Sequence, residues 1–232
     1  MTTTSDTATH EPATTERLIE LGRDREAVAS ATRDLHAPDR RETGPNEGAA
    51  MDGVEQLTEI VPALRTIAAR IEPAQLGLST ACKDFTVQGV LEHMIGGATA
   101  FAPAFRGEPA GDVDHHGTVQ ERFDRAMADL LDAVQATGAQ ERTIASPFGD
   151  VPGATFARYV AFDGLVHGWD LTTATGQLYA PANDLVADVD AFARGLLQPE
   201  MRDGDTFAVE TEAPADATPI ERLVAFSGRQ LG

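Results

Sequence analysis

The chain has 232 residues, 42% of them apolar, which is enough for one sizeable domain or two small ones with a real core. Its 18 basic and 37 acidic residues leave a formal net charge of −19, and the field of so acidic a surface repels phosphates, which argues against nucleic acid and anionic membranes as partners. The single cysteine, Cys82, allows no internal disulfide, no stretch approaches the roughly 18 apolar residues of a membrane span, and MTTTSDTATHEPATTERL lacks the basic start and apolar run of a secretory signal, so a soluble, cytoplasmic protein is expected.

Residues 1–50 are rich in Thr, Glu, Arg, Asp and Ala and poor in large apolar residues. A short helix around ERLIELGRDREAVASATRDL and a linker over DLHAPDRRETGPNEGAA, dense in Pro, Gly and charge, read as a disordered or loosely attached arm. A domain over 51–232 begins at Met51. In MDGVEQLTEIVPALRTIAARI the apolar residues Val54, Leu57, Ile60, Val61, Leu64, Ile67, Ala68 and Ile71 recur at three- and four-residue spacing, the stripe of an amphipathic helix, with Pro62 as a kink or a shifted start. Thr86 is placed to cap a second helix from Val87 to about Phe105. Gly96 and Gly97 fall inside it, at about 1 kcal/mol each relative to alanine, so close packing against a neighbour is expected there.

The loop RGEPAGDVDHHG leads to a third helix, TVQERFDRAMADLLDAVQATG, with Thr118 and Glu121 spaced as a capping box. Phe123, Met127, Leu130, Leu131 and Val134 form its apolar stripe. Short apolar pieces then flank Gly149 and Asp150, the pattern of a small hairpin or extended loop. A fourth helix runs from about Gly153 to Thr175, with Gly176 as its C-terminal stop. DLVADVDAFARGLL and PIERLVAFSGR read as a fifth helix and a short last one. The expected class is all-α, with four main helices and satellites; facing helices of a bundle are a common place for metal sites.

AFDGLVHGWDLTTATGQ, residues 161–177, carries the most chemistry. Asp163 and His167 are four apart on the fourth helix and so project from one face, one turn apart. His93, on the second helix, supplies a third ligand if the two helices pack. Three protein ligands leave positions open for water or substrate, the pattern of a reactive metal site. Around Asp163, His167 and Asp170 stand Phe162, Leu165, Val166, Trp169 and Leu171, and unpartnered charges among such neighbours are costly, which a metal would relieve. The alternative is a carboxylate–histidine hydrogen bond on a solvated face, with His93 a satisfied boundary residue. Asp170 reads either as a group that orients a ligand or as a helix-surface acid. His115 and His116, in an acidic loop, read as solvated. His10 and His36 lie in the tail. Cys82 reads as a small buried residue rather than a nucleophile, because reactivity needs a lowered pKa. Trp169 reads as a packing anchor.

The stretches STACKDFTVQGVLEHMIGG, ERTIASPFGDVPGATF, DGLVHGWDLTTATGQ and ADATPIERLVAFSGR, in this order, resemble the actinobacterial metal-binding proteins of the DinB-like superfamily. That group is related to the N-terminal domain of mycothiol-dependent maleylpyruvate isomerase, and the resemblance covers about residues 51–230. It implies a DinB-like four-helix bundle with a divalent metal held at one end by His93, Asp163 and His167. Some relatives have glutamate where this chain has Asp163. The family often has tryptophan where Phe85 stands, a packing change expected to leave the ligands untouched.

The resemblance also implies a low-molecular-weight thiol such as mycothiol. The metal binds its sulfur, and the thiolate attacks an electrophilic carbon of a small-molecule substrate, in an isomerisation or thiol transfer. A hydrolase that activates water, or a non-catalytic metal- or ligand-binding protein, would use the same ligands, and fold analogy alone does not choose among them. Two imidazoles and a carboxylate suit zinc, nickel or iron(II) alike. Bundles of this type often pair, so a homodimer is among the expected assemblies.

Overall fold

The structure, a computed structural model, describes residues 50–146, 149–197, 199, 202 and 208–231. The expected arm therefore lies outside the described residues, apart from Ala50. Six α-helices and one two-stranded hairpin are found among the described residues. They are α1 (Gly53–Ala69), α2 (Val87–Arg106), α3 (Val119–Gln135), β1 (Thr143–Ser146), β2 (Gly149–Pro152), α4 (Gly153–Thr175), α5 (Asn183–Leu196) and α6 (Pro219–Phe226).

Four of these helices begin where a short polar side chain accepts the unpaired N–H groups of the first turn, whereas α4 and α5 follow Pro152 and Ala182 without such a cap. Asp52 accepts from Val54 and Glu55, and Glu55 accepts in return from the Asp52 N–H, starting α1. Thr86 caps α2, and Thr118 with Glu121 makes the expected capping box on α3. Thr218 and Glu221 repeat that box on α6. Pro62 lies inside α1, which runs unbroken from Gly53 to Ala69. It sits on the exposed face, so the carbonyl that loses its N–H partner there turns to water rather than to the core.

The first four helices form the bundle, in the order α2, α3, α1, α4 around a core that includes Leu57, Leu64, Leu91, Ile95, Phe123 and Leu165. α1 and α4 approach closely because α4 turns glycine toward its partner. A Cβ on Gly164 would stand 3.0 Å from Ile60 Cγ2, and one on Gly168 would stand 3.1 Å from Leu64 Cδ2. The fourth side of the bundle, between α2 and α4, is its most open seam. At one level Phe101 of α2 meets Phe156 of α4 edge to face, with ring centroids 4.9 Å apart. Further along, His93 of α2 faces α4.

Two expectations are corrected here. Gly96 and Gly97 do not pack against a neighbouring helix. A Cβ on Gly96 would meet nothing within 4 Å, and the nearest atoms to one on Gly97 belong to Phe101 of the same helix. Both glycines lie on the partly exposed side of α2, away from its packed face. The expected hairpin is present, with Ile144 opposite Val151, and Gly149 and Asp150 open its second strand. The last helix ends at Phe226, three residues before Arg229, because Gly228 takes a φ of +95° and turns the chain out of the helix.

Candidate metal centre

α2 and α4 bring the three candidate ligands together. Nε2 of His167 lies 3.4 Å from Oδ1 of Asp163, one turn away on α4. Nε2 of His93 lies 3.9 Å from the same oxygen, across the seam. The two imidazole rings stand 5.0 Å apart at 67°. One ligand atom from each of the three residues falls within 4.8 Å of both others. His167 is buried, His93 is about three-quarters buried, and Asp163 meets solvent over half its side chain. The cluster is thus walled on the protein side and open on the other.

These spacings suit a shared cation better than hydrogen bonds. Good N–H···O bonds run about 2.7–3.2 Å, and both separations are longer. Ligand atoms about 2.0–2.2 Å from a zinc-sized ion at tetrahedral angles lie about 3.4 Å from one another. The donor set, two nitrogens and a carboxylate oxygen, fits such an ion.

His167 is held from behind. Its Nδ1 pairs with Oδ2 of Asp170 at 3.0 Å, and Asp170 is wholly buried. Nδ1–H donates to this carboxylate, so that in the neutral ring the lone pair is on Nε2, facing Asp163. Arg229 completes the chain of contacts, with Nη2 3.0 Å from Asp170 Oδ2 and Nε 3.4 Å from Oδ1. Asp170 is therefore the orienting group and not a helix-surface acid. Desolvation would raise its carboxyl, but His167 and Arg229 outweigh that and hold it below the usual range. Desolvation would likewise raise Asp163, and the charges of His167 and then His93 hold it well below the usual carboxylate range instead. Burial alone would lower His167; Asp163 and then Asp170 overcome it and push the imidazole up to about 9. One proton held on His167 does in this arrangement what a metal would do, which is to offset two neighbouring carboxylates.

The remaining candidates are placed as follows. Cys82 lies beside His167 and Asp170, with its sulfur within 4.8 Å of a ligand atom of each. Burial pushes its thiol up to about 11, against a smaller opposing pull from Arg229, so it stays a protonated thiol at neutral pH. Trp169 is buried in the core, as a packing anchor is. His115 and His116 are exposed, on the loop where Arg125 binds Asp114 and the His116 carbonyl, and they do not join the cluster. His10 and His36 lie outside the described residues. Phe85 is corrected: its ring meets His93 edge-on at 5.7 Å, so this position does bear on a candidate ligand.

A family model described as the mycothiol maleylpyruvate isomerase N-terminal domain matches residues 57–172. The chain belongs to this family, within the DinB-like superfamily. Two uncharacterized proteins of Mycobacterium tuberculosis, from two strains, are each 33% identical to it over 178 residues, covering 73% of this chain and 93% of their own. No solved structure matches the chain significantly. His93, Asp163, His167 and Asp170 all lie inside the span matched by the isomerase-domain family, whereas Arg229 lies beyond it. Sequence reasoning missed Arg229 because 59 residues separate it from Asp170 and no spacing rule links them. The only local signal is a basic residue just past the stop of the last helix.

Proposed function

We propose that this protein binds one divalent metal ion through His93, Asp163 and His167 and uses it in a thiol-dependent transfer or isomerisation, with mycothiol or a similar small thiol as co-substrate. The observation that carries the reading is the convergence of His93 Nε2, His167 Nε2 and Asp163 Oδ1 on the open seam between α2 and α4. Zinc, nickel and iron(II) all suit this donor set. Membership of the isomerase-domain family supports the thiol.

A divalent ion at this position supplies Lewis acidity that favours the thiolate form of a bound thiol. The chain's own residues do the rest. His167 and Asp163 present their donors from one helix face, and His93 closes the set from the facing helix. Asp170 keeps the His167 proton on Nδ1. Buried walls on the α4 side confine reactants to the half of the site where Asp163 meets solvent.

A hydrolase would need a spare acid or histidine to take a proton from water. The further carboxylate beside His167, Asp170, is already engaged by His167 and Arg229. That favours a thiol, which can arrive with its own nucleophile.

The test is elemental mass spectrometry on protein purified without a histidine tag, with the metal's spectrum followed as mycothiol is added. Near one metal per chain and a thiol-dependent spectral change are expected. One metal that ignores the thiol would shift the reading to a hydrolase or a binding protein. No uptake of zinc, nickel or iron would reduce the cluster to an internal ion pair.

A further inference from the structure

We propose that Arg229 is a positioning residue of the metal centre, so that the C-terminal turn, outside the span matched by the family, completes the site. This rests on the metal reading above.

Asp170 is fully buried and has two tasks. Its Oδ2 must face His167 Nδ1, and its charge must be offset without water. Arg229 addresses both. Nη2 and Nε approach the two carboxylate oxygens at 3.0 Å and 3.4 Å, a two-pronged contact that fixes the plane of the carboxylate as well as its position. With that plane fixed, Oδ2 stays 3.0 Å from His167 Nδ1, and the ring keeps Nε2 toward Asp163 and His93. Without the guanidinium, Asp170 is free to rotate about its terminal bond, and the imidazole loses its reference.

Arg229 is itself held in place. The chain leaves α6 through Gly228, whose left-handed φ permits the N–H of Gly228 to reach the Ala225 carbonyl and that of Arg229 to reach the Val224 carbonyl, each at 3.0 Å. The Thr211 hydroxyl donates to the Arg229 carbonyl at 2.5 Å, and the Thr211 N–H donates to Ala225 at 3.0 Å. A Cβ on Gly228 would lie 2.7 Å from that of Ala208, so the 208–211 segment lies directly against the turn. A residue pinned from three sides and aimed at a buried carboxylate is built for that contact, not left there by a frayed end.

The test uses full-length protein and cobalt(II), whose visible absorption reports ligand geometry. Arg229→Met and the isosteric Asp170→Asn are each expected to weaken cobalt binding about 10–100-fold in competition with a chelator. Both are also expected to alter the visible spectrum. Because the two residues act in series, the double variant should bind little worse than either single one. Arg229→Lys, which keeps the charge but loses the two-pronged contact, should recover affinity in part while leaving the spectrum perturbed. Thermal unfolding of the metal-free forms controls for folding, and Asp170→Asn and Arg229→Lys keep the test decisive if Arg229→Met does not fold. Variants with wild-type affinity and spectrum would overturn the proposal, even if their melting temperatures fall. Failure of the unaltered protein to bind cobalt would instead remove the metal reading on which it depends.

Discussion

Asp163 and His167 sit one turn apart on α4, yet each is incomplete without a residue from elsewhere: His93 from α2, and Asp170 with Arg229 from behind. His93→Ala and His167→Ala should each lose most of the bound metal while circular dichroism stays helical, because neither side chain carries the apolar core. Full stoichiometric metal in both would remove them as ligands. The charge on His167 also sets a pH dependence. In the metal-free protein its pKa is raised from 6.5 to about 9, so its contribution to stability is complete below the lower value and lost as pH rises through the upper one. A metal needs the neutral ring and must displace that proton. Apparent affinity should therefore tighten about tenfold per pH unit between about pH 7 and 9 and level off above, as a chelator competition across that range would show. Cys82, with a thiol near 11 instead of 9.0, carries about a hundredfold less thiolate than an unperturbed cysteine. Iodoacetamide should alkylate it at least about tenfold more slowly in native than in unfolded protein.

The helices owe their limits to local chemistry and their positions to packing. The Thr86 hydroxyl accepts from the Gly89 N–H at the start of the helix that carries His93. Thr86→Ala should cost about 1 kcal/mol in a denaturant melt. Gly164, next to Asp163, allows α4 to lie against Ile60 and Leu64 of α1. Gly164→Leu has no free volume to enter there and should destabilise by about 1–3 kcal/mol, with metal affinity falling as α4 is pushed outward. The limits were legible because caps and stop glycines act within a few residues. The glycines of α2 were misjudged because composition says only that a glycine is present, not which way its missing side chain would point. The end of α6 was misplaced for a related reason: the apolar pattern continues toward Arg229, but Gly228 breaks the helix at a positive φ.

At the scale of the whole molecule, the charge of −19 and the open α2/α4 seam are the dominant facts. So acidic a surface repels itself as well as phosphates, so raising salt from about 20 to 200 mM should increase the melting temperature. The protein should show no retention on a DNA column even at the lower salt. None of the described helices is long and apolar enough to cross a membrane.

The sequence by itself determined the helical class, most helix starts, the pairing of Asp163 with His167 on one face and the nomination of His93. All of these depend on periodicities of three to four residues or on family motifs. Only the tertiary structure decided that His93 reaches the Asp163 oxygen across the open seam and that Phe85 touches His93. It alone showed that Asp170 is buried behind His167, and that Arg229 returns from the far end of the domain to hold it. Apart from the three-residue step from His167 to Asp170, those contacts join residues between 8 and 70 positions apart. They are set by how the helices stack and where the chain turns back, which no local pattern encodes.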